Sequence, residues 1–373
     1  MSEWKEVKLG EIARSNQSTY SPKDNWKFAN YLDTGNITEN RISKILFIDL
    51  MKEDLPSRAR RKVRKNSIIY STVRPNQKHF GIIKNIPENF LVSTGFSVLD
   101  VDESKANPDF VYYSLTQEKN TATLHAIAEQ STSAYPAIKP SDIENLPIKL
   151  PPLAEQKRIA EILGSLDDKI ELNNRINRNL EEQAQALFKN WFVDFEPFGG
   201  VMPADWRKGI LADIAKITSG KRPPMKQTES TKEACIPLVG AASIMGFTND
   251  VLCEEPILVI GRVGTHGVIQ RFSSKCWPSD NTLVIKSQYY EFVYQILKNV
   301  NFGNMNRGST QPLITQSDLG KTECVIPNEN TLQKFEVNIK SLFNVVDANN
   351  AEIHQLTFIR DTLLPKLISG EEI

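Results

Sequence analysis

Basic side chains cluster in one short stretch of the first half of the chain. Six arginines and lysines fall within residues 58–65, with no acidic residue among them, just ahead of a strand-like run. Lys and Arg neutralise DNA phosphates, while Arg, Asn and Gln can hydrogen-bond base edges in pairs. The chemistry available here is therefore nucleic-acid binding. The candidates are Arg58, Arg60, Arg61 and Lys62, followed in the next loop by Arg74, Asn76, Lys78 and His79.

A sparser basic set lies in the second half. Lys221 and Arg222 precede a Pro-Pro pair, and the glycines of residues 261–267 predict a tight turn that presents its polar side chains outward. A plain hairpin turn and a merely solvated charged face are the alternatives. The DNA-binding candidates of this half are Lys221, Arg222, Arg262, Thr265, His266, Arg271, Asn306 and Arg307.

A catalytic site finds little support. Asp142 followed by Glu155 and Lys157 resembles the acids and lysine of metal-dependent nucleases, but the second half keeps only Asp318 of this set. We therefore interpret Asp142 as a turn or helix cap. No GxxxxGK[ST] loop is present, and the spacing of the glycines in residues 261–267 does not fit a dinucleotide-binding loop. We expect no catalytic residue, no metal site and no enzyme activity.

Two long helices must position these candidates. Residues 151–191 place apolar side chains at alternating steps of four and three, which is the pattern of a coiled coil. Roughly 40 residues at ~1.5 Å each give a rod of ~60 Å, so we interpret it as a spacer rather than as one helix of an all-α bundle. Its predicted seam is Ile159, Leu163, Leu166, Ile170, Asn173, Leu180 and Leu187.

The same spacing recurs near the C-terminus and predicts a second helix that packs on the first. An Asn in such a seam costs stability but specifies alignment. Asn349 occupies a position equivalent to that of Asn173. The second seam is Phe335, Ile339, Leu342, Val346, Asn349, Ile353, Leu356 and Leu363.

The chain contains an internal repeat of about 180 residues, which is the signature of a duplicated unit. A motif of Trp, a basic residue, Leu, an acid and Ile-Ala begins at Trp4 and again at Trp206, and residues 131–143 resemble residues 308–319. Within each copy, β-branched and aromatic runs predict strands, with short helices near residues 108–114 and 290–297. Each copy is therefore predicted to be an α+β domain.

Composition sets further bounds. The 373 residues allow two or three domains, and 40% hydrophobic with 24% charged residues are ordinary values for a soluble protein. The formal net charge is zero, so a DNA site must be a local patch. We see neither a membrane span nor a signal peptide and expect a cytoplasmic protein.

These motifs together resemble the specificity subunits of type I restriction–modification enzymes along nearly the whole chain. The resemblance rests on LPPLAEQKR and the helix that follows it, STVRP with VSTGFSVL, GRVGTHG with SDNTLVI, and the closing LLPKLISGEEI. It implies two target-recognition domains that each read half of a bipartite DNA sequence, alternating with two helices that form an antiparallel coiled coil. The second helix lacks the LPPLAEQ opening, so the equivalence of the two docking surfaces is open.

The resemblance also implies partners. Two adenine-methylating modification subunits and ATP-driven restriction subunits would assemble on this chain, with S-adenosylmethionine, ATP and magnesium bound by those partners and no cofactor here. A nuclease and an interaction scaffold that never binds DNA are the rival hypotheses. The predicted segments are residues 1–150 and 196–328 for the recognition domains, and 151–195 and 329–373 for the helices.

Overall fold

Two groups of residues pack separately in this computed structural model, which describes residues 4–131, 135–263, 267–305 and 313–370. Unit 1 comprises Met1–Leu172 with Glu352–Ile373, and unit 2 comprises Asn173–Ala351. This grouping divides each long helix between the units. The segments predicted from the sequence keep each long helix whole, and their boundaries stay a prediction.

The helices include two of about 40 residues, as the seam pattern predicts. The first starts directly after Pro151-Pro152, a pair that the opening turn of a helix tolerates. The α-helices are α1 (Leu9–Ile12), α2 (Pro108–Leu115), α3 (Glu118–Glu129), α4 (Pro140–Glu144), α5 (Leu153–Phe192), α6 (Tyr290–Lys298), α7 (Gln316–Gly320) and α8 (Glu329–Ser369).

The strands of unit 1 form two four-stranded sheets, of order β6-β3-β10-β7 and β2-β11-β8-β9, with the pairs β1-β12 and β4-β5 beside them. Their bounds are β1 (Lys5–Lys8), β2 (Ala13–Ser15), β3 (Phe28–Leu32), β4 (Ile37–Thr38), β5 (Arg41–Ile42), β6 (Leu46–Asp49), β7 (Ala59–Lys62), β8 (Ile68–Ser71), β9 (Phe80–Ile82), β10 (Phe90–Ser93), β11 (Phe96–Val101) and β12 (Pro147–Leu150).

The strands of unit 2 repeat this plan. One sheet has the order β14-β20-β17-β18, a second has the order β16-β15-β19, and β13 pairs with β21. Their bounds are β13 (Arg207–Ile210), β14 (Lys216–Ser219), β15 (Ile236–Val239), β16 (Ile244–Thr248), β17 (Ile257–Gly261), β18 (Ile269–Phe272), β19 (Trp277–Pro278), β20 (Thr282–Lys286) and β21 (Glu323–Ile326).

The internal repeat is visible in strand order and direction. The order β2-β11-β8-β9 of unit 1 reappears as β14-β20-β17-β18 in unit 2. Each unit also has one parallel pair, β3 with β10 and β15 with β19. Among the described strands of unit 2, none corresponds to β7, so the strand with the basic cluster is a feature of unit 1.

The run of β-branched and aromatic residues from 91 to 99 contributes to two strands rather than one. The chain leaves the first sheet of unit 1 after Ser93 and enters the second at Phe96. At the break, the Thr94 N–H donates to the Arg58 carbonyl at 2.7 Å, and the Thr72 N–H donates to the Gly95 carbonyl at 2.8 Å. The sequence does not reveal this break, because β-propensity does not indicate where a chain passes from one sheet to another.

The two long helices pack against each other in opposite directions. In unit 1 the start of α5 shares a core with the end of α8, where Ile159 and Leu163 lie with Leu367. In unit 2 the end of α5 shares a core with the start of α8, where Phe188 lies with Phe335. The fold is therefore α+β, with two β-rich domains alternating with the helices of an antiparallel coiled coil.

The predicted seam residues are all buried or half-buried. The buried ones are Ile159, Leu163, Ile170, Asn173, Phe335, Ile339 and Val346. The half-buried ones are Leu166, Leu180, Leu187, Leu342, Asn349, Ile353, Leu356 and Leu363.

Asparagines do meet in the seam, although Asn349 bonds to Asn177 rather than to Asn173. The Asn349 Nδ2 donates to Asn177 Oδ1 at 2.8 Å, and the Asn177 Nδ2 donates to Asn350 Oδ1 at 2.9 Å. These bonds are lost if either helix slips by a turn, so they favour one alignment.

Candidate nucleic-acid interface

The basic cluster of unit 1 lies on and beside β7. This strand pairs with β10 on one side, and on the other side the Tyr20 N–H donates to the Arg60 carbonyl at 2.8 Å. Arg58 is exposed, whereas Arg60 and Arg61 are half-buried. None of the three forms an ion pair with a carboxylate of the described residues, so their charges remain available to a ligand.

Lys62 differs from its neighbours because its charge is already used. Its Nζ lies 2.5 Å from an Asp24 carboxylate oxygen and 5.3 Å from the centre of the Trp26 ring. The hydrogen bond from Lys62 holds the pKa of Asp24 below its usual value. Lys62 therefore connects the segment around Asp24 to β7, and the structure does not support it as a phosphate contact.

The loop between β8 and β9 divides its predicted residues into two kinds. Arg74 has a left-handed backbone with φ 47°, and its guanidinium lies 5.4 Å from the Tyr135 ring centre. Both Arg74 and Asn76 are exposed. A non-glycine residue in this region is uncommon and is often found at functional sites. These two residues remain candidates.

Lys78 and His79 hold the same loop in place through contacts with neighbouring segments. Lys78 pairs with Glu39 at 3.3 Å and with Glu118 at 2.9 Å. The His79 Nδ1 lies 2.6 Å from the Ile37 carbonyl oxygen. Their polar groups hold the loop to its neighbours, so the structure does not support either as a DNA contact. Sequence spacing could not reveal these partners, because they lie about 40 residues away along the chain.

In unit 2, Lys221 and Arg222 are exposed on an arm that follows β14. The Trp277 Nε1 donates to the Lys221 carbonyl at 2.8 Å, which fixes the start of the arm. Gly220 allows this approach, because a Cβ there would lie 2.2 Å from the Ser279 carbonyl oxygen. Neither cation pairs with a carboxylate in the described part of the chain.

Arg262 lies beside the turn that ends at β20. Its N–H donates to the Asn281 carbonyl at 2.8 Å, and its own carbonyl accepts the Ile314 N–H at 3.0 Å. The Arg262 Nε is buried and has no hydrogen-bond partner among the described residues, as is also true of the Arg61 Nε in unit 1. The Arg262 guanidinium has no carboxylate partner among the described residues, so its charge remains available to a phosphate.

The structure does not support the prediction that Arg271 contacts DNA. Its side chain is only 15% exposed and forms two hydrogen bonds with the Glu291 carboxylate of α6, at 2.5 Å and 2.9 Å. The guanidinium also lies 3.8 Å from the centre of the Phe343 ring of α8. Arg271 therefore joins the sheet to both helices, and its charge is already matched by Glu291.

Four further candidates, Thr265, His266, Asn306 and Arg307, lie outside the described residues. Their assignment to the DNA site stays a prediction.

The two units bring the same pair of turns together. In unit 1, Thr72 donates to Gly95 and accepts from Ile138, and in unit 2 Arg262 donates to Asn281 and accepts from Ile314. We call a set of polar side chains around each pair the reading edge of the unit. The reading edge of unit 1 comprises the exposed Arg58, Arg74, Asn76 and Thr94, and that of unit 2 comprises the half-buried Arg262 with the exposed Lys221, Arg222, Asp280 and Asn281.

Charge counting missed Thr94, Asp280 and Asn281, because none of them is basic. The signal that could have found them is the alignment of STGF with SDNT, which places Thr94–Gly95 opposite Asp280–Asn281. The structure confirms this alignment through the matching backbone hydrogen bonds.

The nuclease-like residues have structural partners. The Lys139 N–H donates to Asp142 Oδ2 at 2.7 Å, and Glu155 pairs with Arg158 at 2.7 Å. Asp142 is thus the helix cap that the sequence suggested. In the part of the chain that the structure describes, no group of three or more His, Cys, Asp or Glu side chains could hold a metal ion. No described helix is long and apolar enough to span a membrane.

Comparison with known proteins agrees with this architecture. A family model for the type I restriction modification DNA specificity domain matches residues 1–182 and 203–357. The HindI specificity subunit of Haemophilus influenzae is 27% identical over 471 aligned residues, covering 100% of both chains. The MjaIX specificity subunit of Methanocaldococcus jannaschii is 27% identical over 391 residues, covering 94% of this chain and 85% of that one.

A solved structure shares the fold. The type I restriction–modification S subunit from M. genitalium superposes with a TM-score of 0.62 at 18% identity, covering 98% of this chain and 96% of that chain. The two matched segments of the family model each contain one of the duplicated sheet arrangements described above. This chain belongs to the family of the type I restriction modification DNA specificity domain.

Proposed function

We propose that this chain is the sequence-specific DNA-recognition subunit of a type I restriction–modification complex. In this proposal each unit reads one half of a bipartite duplex target. The observation that carries it is the repetition of the reading edge, since two domains with the same sheet order present the same pair of turns beside unpaired cations. Cations that lack an internal carboxylate are free to bind phosphate.

The division of labour in the complex is also part of the proposal. We propose that the chain has no catalytic activity and that it assembles with two adenine-methylating modification subunits and with restriction and translocase subunits. S-adenosylmethionine, ATP and magnesium would then bind to those partners. The full-length similarity to chains named specificity subunits supports this assignment.

The test is adenine-methylation mapping of DNA from cells that express this chain together with its neighbouring modification subunit. We expect a methylated bipartite motif that disappears when the chain is deleted. An active modification subunit that produces no motif would favour an interaction scaffold instead. Metal-dependent cleavage by the isolated chain, lost in Glu155→Ala, would favour a nuclease.

A binding measurement separates DNA recognition from scaffolding. In the assembled complex, Arg262→Gln should weaken duplex binding and reduce the slope of log affinity against log salt by about 1, because one phosphate contact is lost. Lys286→Gln is the matched control, since Lys286 already pairs with Glu255 at 2.5 Å. Equal binding by all three proteins would contradict the proposal.

A further inference from the structure

A rigid turn carries the non-basic part of the reading edge of unit 2. Between β19 and β20, the Ser279 N–H donates to the Val239 carbonyl at 2.9 Å. The Thr282 N–H and Oγ1 both donate to the Ser279 carbonyl, at 3.0 Å and 2.7 Å. Thr282 is fully buried, so the turn is anchored in the core. Side chains on such a turn are held in place before a ligand arrives.

The turn forms one wall of a cleft of about 310 Å³. The arm that follows Gly220 forms the facing wall, with Arg222 and Lys226 lining it, and Ser279, Asp280 and Asn281 line the side of the turn. The arm is pressed onto the turn at Gly220, whose N–H donates to the Thr282 carbonyl at 3.1 Å. The cleft is therefore a feature of the folded domain rather than of a single loop.

Polar groups in this cleft lack partners. Ser279 is only 3% exposed, and its Oγ is buried without a hydrogen bond to any described residue. Asp280 and Asn281 are exposed, and neither side chain makes a hydrogen bond or ion pair with a residue that the structure describes. A buried hydroxyl without a partner is costly, and native proteins satisfy nearly all such groups. These groups indicate a polar ligand.

The mixture of charges restricts what that ligand can be. Arg222, Lys226 and Arg262 suit phosphate oxygens, whereas a carboxylate among them would repel phosphate. A carboxylate that faces DNA is instead matched to an N–H donor. In the major groove the donors on base edges are the exocyclic amino groups, N4 of cytosine and N6 of adenine, and Asn pairs with adenine through N6 and N7.

We propose that Asp280 and Asn281 are specificity-determining residues that select an amino-bearing base, cytosine or adenine, in the half-site bound by unit 2. The inference rests on the proposed function and deepens it. Guanine and thymine present carbonyl oxygens at the corresponding groove positions, so the Asp280 carboxylate repels them. Thr94 holds the equivalent place in unit 1, where its hydroxyl can donate or accept and imposes no such choice.

The experiment changes the carboxylate and maps the methylated motif of the full chain assembled with its modification subunit. In Asp280→Asn, the new amide can donate to a base carbonyl, so we expect one position of one half-site to admit guanine or thymine while the other half-site is unchanged. The matched control is Glu255→Gln, whose carboxylate is already paired with Lys286 near the far end of β20. The control should keep the wild-type motif.

A second measurement uses the wild-type complex, so its main result does not require that a variant folds. With the wild-type complex, a duplex whose recognised base lacks its exocyclic amino group should bind about tenfold more weakly, as expected for one lost base contact. Asp280→Ala should show a smaller difference between the two duplexes than the wild type. A wild-type complex without any motif would overturn the proposed function. A wild-type motif that stays identical in Asp280→Asn, or no loss on the altered duplex, would overturn this inference alone.

Discussion

At the scale of single residues, the type of side chain did not decide its role. Arg262 and Arg271 lie nine positions apart on neighbouring segments, yet Arg262 has no carboxylate partner among the described residues, whereas Arg271 is paired with Glu291. Both sequence neighbourhoods look equally basic. What separates them is whether a carboxylate from a distant element reaches the guanidinium.

This difference predicts that substitution of Arg271 lowers stability, whereas substitution of Arg262 does not. Arg271→Gln leaves the Glu291 carboxylate, only 6% exposed, without its charge partner, and removing one member of a buried ion pair typically costs about 3 kcal/mol. The free energy of unfolding of unit 2, measured by urea titration of the full chain, should fall accordingly. Arg262→Gln is the control and should leave it nearly unchanged. Equal stability of the two variants would contradict the structural role of Arg271.

At the scale of elements, each long helix uses a polar side chain to support a short helix of its domain. In unit 1, the Gln156 Oε1 accepts the N–H of Asn107, the N-cap residue of α2, at 2.8 Å. In unit 2, the Glu336 carboxylate accepts the N–H groups of Glu291 and Phe292, at 3.2 Å and 2.8 Å, in the first turn of α6. The first turn of a helix has free N–H groups, and these contacts satisfy them.

Glu336 makes the second contact sensitive to pH. Burial raises its pKa to about 7, and the two backbone hydrogen bonds oppose that rise only in part. A carboxyl group whose pKa is higher in the folded state holds its proton there between about 4.5 and 7, where the unfolded chain has released it. Its contribution to stability is therefore greatest at low pH and is lost as the pH rises towards 7.

Glu336→Gln tests this dependence. The amide oxygen can accept one of the two N–H groups and cannot ionise, so the stability of the variant should rise relative to that of the wild type as the pH rises, by on the order of 2 kcal/mol at pH 8. Urea titrations of both proteins from pH 5 to pH 8 measure the difference. A difference that stays constant across this range would show that Glu336 does not titrate there.

At the scale of the whole molecule, the order of domain, helix, domain and helix agrees with a protein that joins two recognition domains through paired helices. The pairing is specified by polar contacts within each unit. Arg360 Nη1 donates to Asp167 Oδ1 at 2.8 Å in unit 1, and Asn177 bonds to Asn349 and Asn350 in unit 2. Changing the length of one helix alone would break this alignment.

We therefore expect the gap in the DNA target to respond to matched insertions. Seven residues added after Leu172 and seven after Ala351 keep both heptad patterns and lengthen both helices. Methylation mapping should then show a longer gap between the same two half-sites. The control inserts four residues into α5 only, which should shift the seam and reduce methylation. An unchanged gap with full activity would contradict the idea that the helices set it.

The sequence by itself determined the class of the protein and its architecture. Apolar spacing specified both long helices, and the repeated motifs specified two related domains, because periodicity and duplication are properties of the order of residues along the chain. The basic cluster and the turn motifs also indicated the chemistry of the ligand. These features depend on neighbours in sequence, so they can be read without a structure.

Only the tertiary structure decided which polar residues are free. Lys62, Lys78 and Arg271 each meet a carboxylate that is between 20 and 40 residues away along the chain. It also brought Asp280 and Asn281 to the reading edge, through a turn whose bonds come from Val239 and Arg262. Such pairings arise from packing between elements, and the spacing of residue types does not encode the distance between elements.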